Sequence, residues 1–168
     1  SLHCACSTHP PPSPPTRRSS DLLSRAAAAA ADIALLESHG TGTALGDPIE
    51  AGAVAAVVLD SPSPLALAGV KANIGHAEAG AGATGLLKLV MVLNAARAPP
   101  NAELRVLNRY IDVALRGTSC AAMTQVAPMA VGPTEEGSQY VGNVSSFGYS
   151  GTIAHAVLRP AAGGGRAR

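Results

Sequence analysis

Tryptophan is absent from this chain, phenylalanine occurs once, at Phe147, and tyrosine three times. With so few rings to stack on bases and a net charge of only +1, spread without a basic stripe, a nucleic-acid partner is excluded. Cysteine is scarce too. Cys4, Cys6 and Cys120 make an odd set with two members crowded together, which rules out a disulfide scaffold and points to a reducing compartment. No apolar run approaches the ~20 residues that cross a bilayer, and no secretory signal is visible, so no membrane role is expected. The expected setting is cytoplasmic, with a plastid as the other candidate.

What the chain does have is alanine and glycine. Its 168 residues suit one domain. A domain of this size can bury ~70% of its unfolded surface. Without rings, that core must be aliphatic and built on close helix-to-sheet contacts. Residues 1–20 carry no acidic side chain but include Arg17, Arg18 and several serines, a composition near that of an organelle transit peptide. The run Pro10-Pro11-Pro12-Ser13-Pro14-Pro15 cannot form the amphipathic helix such a peptide needs. Residues 1–31 are therefore expected to be a disordered or non-native lead, 32–160 the folded unit, and 161–168 a flexible Gly/Ala/Arg tail. The chain is expected to be a fragment of a larger one.

Periodicity then predicts a layered fold. Asp21 can cap an alanine-rich helix that runs to residue 31, and 33–37 reads as a buried strand. Gly46-Asp47-Pro48-Ile49-Glu50 is a helix start, with Asp47 as cap, Pro48 in the first turn and Glu50 closing a capping box. A strand is expected over 65–72, and a helix over 80–97 with Leu86, Leu87, Leu89, Val90 and Leu93 as its buried stripe. Residues 101–137 are expected to be irregular with one strand near 121–126, and strands over 140–144 and 154–159 close the unit. Strand, helix, strand, helix and late strands make an α/β architecture, a mixed sheet with flanking helices.

Two histidines stand where apolar runs meet glycine-rich turns. His39 lies in Glu37-Ser38-His39-Gly40-Thr41-Gly42-Thr43, and His76 in Val70-Lys71-Ala72-Asn73-Ile74-Gly75-His76. Strand ends of open α/β sheets are where reactive side chains collect. Two neutral imidazoles donating to one oxygen can hold the negative charge that develops on a thioester or carboxylate-derived group, and Lys71 adds a cation. Glu50 is the carboxylate available to orient that lysine or a histidine. Thr41 and Thr43, pointing the same way if the segment is extended, can hydrogen-bond an amide-rich ligand arm.

Other motifs are less well supported. Gly80-Ala81-Gly82-Ala83-Thr84-Gly85 satisfies G-x-G-x-x-G, but His76 to Ala79 intervene between it and its strand, which argues against a dinucleotide site. His76-Ala77-Glu78 lacks the Pro-Cys-x-x-Cys that a zinc deaminase needs, and no cluster supplies three good metal ligands. No G-x-S-x-G nucleophile elbow is present.

Three segments, 37–51, 70–88 and 143–158, occur in order and together resemble the carboxyl-terminal half of the β-ketoacyl synthase domain of modular type I polyketide synthases, in the thiolase-like superfamily. The resemblance implies a thiolase-like half-domain. In that family a cysteine carries the acyl chain as a thioester while two histidines assist decarboxylation of a malonyl thioester, whose enolate then attacks the acyl group. By this resemblance His39 and His76 correspond to the histidine pair, Lys71 to the lysine and Glu50 to the buried carboxylate. Thr41 and Thr43 correspond to threonines that meet the phosphopantetheine arm of an acyl carrier protein, which brings the substrate; no directly bound cofactor is implied. Tyr149 falls where the family places a phenylalanine whose main-chain N–H forms half of an oxyanion hole. Implied partners are the acyl carrier protein, the missing amino-terminal half and a second copy in a homodimer.

Departures are plain. The nucleophile belongs to the missing half, and Cys6, in an Ala5-Cys6-Ser7-Thr8 echo of its motif, lies too close to His39 for that half to intervene. Ala72 and Ile153 replace a serine and an asparagine of the family pattern. The chain is expected to be inactive alone as a 3-oxoacyl synthase; the other reading is a non-catalytic module for carrier-protein docking or assembly.

Overall fold

The computed structural model describes residues 2–7, 30–58, 61, 63–129 and 140–160. Six strands form one mixed sheet: β1 (Leu2–Ser7), β2 (Ile33–Glu37), β3 (Leu65–Ala68), β5 (Cys120–Ala122), β7 (Val141–Phe147) and β8 (Ile153–Leu158). Their spatial order is β1-β8-β7-β2-β3-β5. β7, β2, β3 and β5 run parallel, while β8 and β1 are antiparallel additions at one edge. The short strands β4 (Arg97–Ala98) and β6 (Ala127–Pro128) pair separately.

Among the described residues four α-helices complete the layers: α1 (Gly46–Val58), α2 (Lys71–Ile74), α3 (Ala81–Ala95) and α4 (Arg109–Ala114). α3 covers one face of the sheet. Leu89, Val92 and Leu93 pack there with Leu35, Val144, Ala156 and Leu158, and Leu35 and Leu89 are fully buried. On the other face Val58 of α1 joins Ile33, Leu36, Val141 and Val157, and α4 packs on α1 through Ala51, Ala55, Ile111 and Leu115. β2 is buried on both faces, as a central parallel strand requires, and therefore reads as an unbroken apolar run rather than an alternation.

The glycines of the G-x-G-x-x-G run serve this packing. A Cβ on Gly82 would lie 2.8 Å from the Ser146 hydroxyl, and one on Gly85 would lie 3.3 Å from Val144. They let α3 approach β7 closely.

Several expectations change. The strand expected over 65–72 stops at Ala68, because the next residues turn into α2, and Lys71 opens that helix instead of ending a strand. The buried stripe of α3 is Ala81, Gly85, Leu89, Val92 and Leu93, whereas Leu87 and Val90 are exposed. α4 lies in a region expected to be irregular; Asn108 starts it by accepting the Tyr110 N–H at 2.9 Å. Leu2–Ser7, expected within a disordered or non-native lead, pairs along β8 from Leu158 to Ile153. The helix expected over 21–31 lies outside the described residues apart from a 3-10 turn at Ala30–Asp32, as does the tail at 161–168. Among the described residues no helix is long and apolar enough to cross a membrane.

Candidate active site

The loop after β2 is held from behind by the first turn of α1. Glu50 accepts the main-chain N–H of His39 at 2.7 Å and that of Gly40 at 3.0 Å. Asp47 accepts the Gly42 N–H through both carboxylate oxygens, at 3.2 and 3.1 Å. Gly40 and Gly42 have φ of +46° and +75°, a region where a side chain is strained. The capping box expected from Asp47 and Glu50 is thus not formed, since both carboxylates are taken by the loop. Thr43 caps in its place, its hydroxyl accepting the Gly46 N–H at 3.0 Å.

The second loop is held by two side chains. Asn101 accepts the Gly69 N–H at 2.7 Å and donates to the carbonyls of Leu67 and Met123. Glu37 accepts the Val70 N–H. Lys71 then opens α2, half-buried, and the chain leaves that helix through Gly75 at φ +79°. His76 follows, exposed, with its Nδ1 accepting the Glu78 N–H at 2.9 Å. A neutral His76 ring with Nδ1 so engaged carries its proton on Nε2, which is then the donor.

The two loops bring His39 and His76 together. Their ring centroids are 5.9 Å apart with perpendicular planes, and Phe147 packs against His39 at 5.1 Å. Burial, then the charges of Lys71 and His76, push the His39 pKa down to about 4, against an opposing pull from Asp47. His39 is therefore neutral near pH 7. Burial likewise lowers the Lys71 pKa, while Glu50, Glu37 and Asp47 work to raise it. Glu50 is pushed above the usual carboxylate value by burial, in spite of the two N–H groups that favour its charge. A neutral His39 ring set against the His76 ring and beside a lysine is suited to stabilising negative charge that appears on an oxygen placed between the rings.

The remaining residues divide. Thr41 and Thr43 share the rim, their hydroxyl oxygens 3.4 Å apart. Glu50, expected to orient the lysine or a histidine, meets His39 through its main-chain N–H and enters none of the described ion pairs. The Tyr149 side chain is fully exposed, and Phe147 is the ring of that turn that meets His39. Only the Tyr149 main chain is left as a contributor. A cavity of about 330 Å³ lies behind the His39 loop, between apolar residues of β3, α1 and α4, and neither histidine lines it.

Two pairs escaped the sequence reading. Glu37, fully buried, lies 2.7 Å from Lys88 on α3. A lone lysine inside an apolar helical stripe was the signal for it. His155 on β8 exchanges a 2.9 Å hydrogen bond with Ser145, and burial lowers its pKa to about 4. A histidine within a short apolar strand gave that hint.

Residues 5–105 match the family described as β-ketoacyl synthase, C-terminal domain. A highly reducing polyketide synthase of Aspergillus niger, azaB, is 38% identical over 131 residues, 76% of this chain and 5% of that protein. Erythronolide synthase EryA3 of Saccharopolyspora erythraea is 40% identical over 131 residues, 76% of this chain and 4% of that protein. The oxazolomycin ketosynthase domain of Streptomyces albus JA3453 superposes with a TM-score of 0.81 at 28% identity, covering 96% of this chain and 29% of that domain. The chain therefore spans a small part of its curated relatives and under a third of a solved ketosynthase.

Proposed function

The chain belongs to the β-ketoacyl synthase C-terminal domain family, with a thiolase-like fold, and from that premise we propose that it supplies the His39, His76 and Lys71 side of a polyketide condensing site. The observation that carries the reading is the perpendicular histidine pair at 5.9 Å, with His39 held neutral beside the Lys71 charge. In the proposed reaction a malonyl thioester loses CO2 as its thioester oxygen gathers negative charge, and the donor nitrogens of both rings stabilise the enolate. The enolate carbon then attacks an acyl thioester, and the C–S bond of that thioester breaks. Lys71 supplies positive charge to the pocket, and Glu50 keeps the His39 loop in place.

The acyl thioester needs a nucleophile within reach of its activating groups, and none of the residues just named can supply one. Cys120 is half-buried with its thiol pKa raised by burial, the reverse of an activated thiolate. We assign that nucleophile to an amino-terminal half, and its docking surface to the exposed apolar side chains Ile74, Leu87, Val90 and Met91 around α2 and α3. Thr41 and Thr43, on the rim, would receive the phosphopantetheine arm of an acyl carrier protein, and the Tyr149 main-chain N–H would contribute to the oxyanion hole. A homodimer of the assembled domain in a cytoplasmic polyketide synthase completes the proposal.

The test combines the purified chain with a separately expressed ketosynthase amino-terminal half that carries its cysteine. CO2 release from a malonyl thioester and β-ketoacyl product are followed by mass spectrometry. The combination is expected to condense where the chain alone does not. His76→Ala and His39→Ala should each lower decarboxylation by about 10²-fold or more. Equal rates for wild type and both variants would overturn the catalytic reading and favour a docking module.

A further inference from the structure

Glu37 is the last residue of β2 and its side chain is fully buried. One carboxylate oxygen accepts the N–H of Val70, and the other lies 2.7 Å from the Lys88 ammonium. Val70 is the residue before Lys71 and the N-cap of α2, and it has no side-chain cap from its own segment. A helix start leaves N–H groups without intrahelical acceptors. Glu37 satisfies this one from a neighbouring strand, two residues before it delivers His39.

The pair therefore touches all three segments of the site. β2 continues into the His39 loop, Val70 leads into Lys71, and Lys88 stands on α3, which begins at Ala81, shortly after His76. Gly85 lies against this side chain, and a Cβ there would meet the Glu37 Cγ at 3.5 Å, an ordinary contact distance. Lys71 and Lys88 are also the two lysines of the chain, its other side-chain cations being arginines.

Stability does not explain the arrangement well. Burying an ion pair costs desolvation that an apolar pair of similar volume would avoid, so such a pair is weak evidence for stability and better suited to fixing one geometry. We infer that Glu37 is a positioning residue for Lys71, setting the Lys71 turn through the Val70 N–H and supplying negative charge behind it, with Lys88 as the counter-ion that holds the carboxylate. The inference rests on the proposed function only for what Lys71 does; the positioning itself concerns groups of this chain.

The test is titration of the lysine side chains by NMR on the full chain labelled with ¹³C,¹⁵N-lysine, in which two side-chain amine signals are expected. The charges that act on Lys71 are those of Glu37 on β2 and of Glu50 and Asp47 on α1, and Lys71 acts in turn on His39. Glu37→Gln keeps an oxygen for the Val70 N–H and removes the charge. It is expected to lower the Lys71 midpoint by about half a pH unit or more. Glu37→Ala should in addition remove hydrogen-exchange protection from the Val70 amide. Where Glu37→Gln alone fails to fold around an unpaired Lys88, the double variant with Lys88→Met removes both charges and should shift Lys71 in the same direction. An unmoved Lys71 midpoint in the folded Glu37→Gln or double variant overturns the inference, whatever the condensing assay gives. A shifted midpoint together with full decarboxylation by Lys71→Met in the assembled enzyme supports the positioning and overturns the role proposed for Lys71.

Discussion

Glu50 grips the main chain of His39 rather than its ring, with Oε1 2.7 Å from the His39 nitrogen and Oε2 3.0 Å from that of Gly40. The imidazole proposed for catalysis is thereby fixed by a carboxylate that leaves both ring nitrogens free of it. Removing the acceptor strands two N–H groups at the edge of the core. Glu50→Ala is expected to cost about 2–6 kcal/mol, since each of two unsatisfied donors costs about 1–3 kcal/mol. Glu50→Gln, which keeps one acceptor oxygen, should cost less. Urea unfolding gives the stabilities, and hydrogen exchange at the His39 and Gly40 amides locates the damage. Equal losses in the two variants would remove the N–H clamp as the explanation.

Lys71 and His39 are coupled through charge. Burial is the largest cause of the low His39 pKa and the Lys71 ammonium is the next. Lys71→Met should therefore raise the His39 midpoint from about 4 part of the way toward 6.5, without restoring it, because burial persists. The measurement is an NMR titration of the imidazole Cε1–H signals. A His39 midpoint that does not rise would place the ammonium elsewhere.

Acid should destabilise the fold through His155. Its folded pKa is about 4 against 6.5 when unfolded, so below pH 6.5 the unfolded chain binds the extra proton. The stability contributed by a neutral His155 is thus fully present above pH 6.5 and is lost as pH falls toward 4, to the extent of roughly 3 kcal/mol. His39 acts in the same direction. Glu50 acts in the opposite one, since its raised pKa lets the folded chain take up a proton more readily than the unfolded chain. Denaturation at pH 7 and pH 4.5 should show a smaller loss in His155→Gln than in wild type; an identical loss would assign acid sensitivity to other groups.

Much of this was legible in the sequence because it rests on local signals. β2 was readable because a central parallel strand is a short apolar run, and α3 because a long leucine-rich segment precedes prolines 99 and 100. The histidine pair was readable because each residue sits at the junction of such a run with glycines. What failed depended on distant partners. The start of α1 reads as a capping box, yet Asp47 and Glu50 bond a loop that closes back over the helix, leaving Thr43 to cap it. The α3 stripe was misjudged because alanine and glycine pack against the sheet while Leu87, Val90 and Met91 face away from it. Glu37 looked like a motif residue, and its pairing with Lys88 is a tertiary contact that spacing cannot reveal.

The closest test of the helix-to-sheet packing is at Gly142. A Cβ there would lie 2.5 Å from Leu89 Cδ1 and 3.3 Å from Leu93 Cδ2. Leu89 is fully buried, so its methyl cannot swing into solvent to make room. Gly142→Ala is therefore expected to cost about 1–3 kcal/mol by overpacking. Leu89→Ala alone should cost about 2–5 kcal/mol through the cavity it leaves. Combined, the two changes place a methyl group where the leucine was removed, so the double variant should lose clearly less than the sum of the single losses. Urea unfolding of all four proteins measures that coupling, which for residues in contact amounts to about 0.5–3 kcal/mol. Strict additivity would mean that α3 does not rest on β7 at this point, and the close approach attributed to the small residues of this chain would have to lie elsewhere.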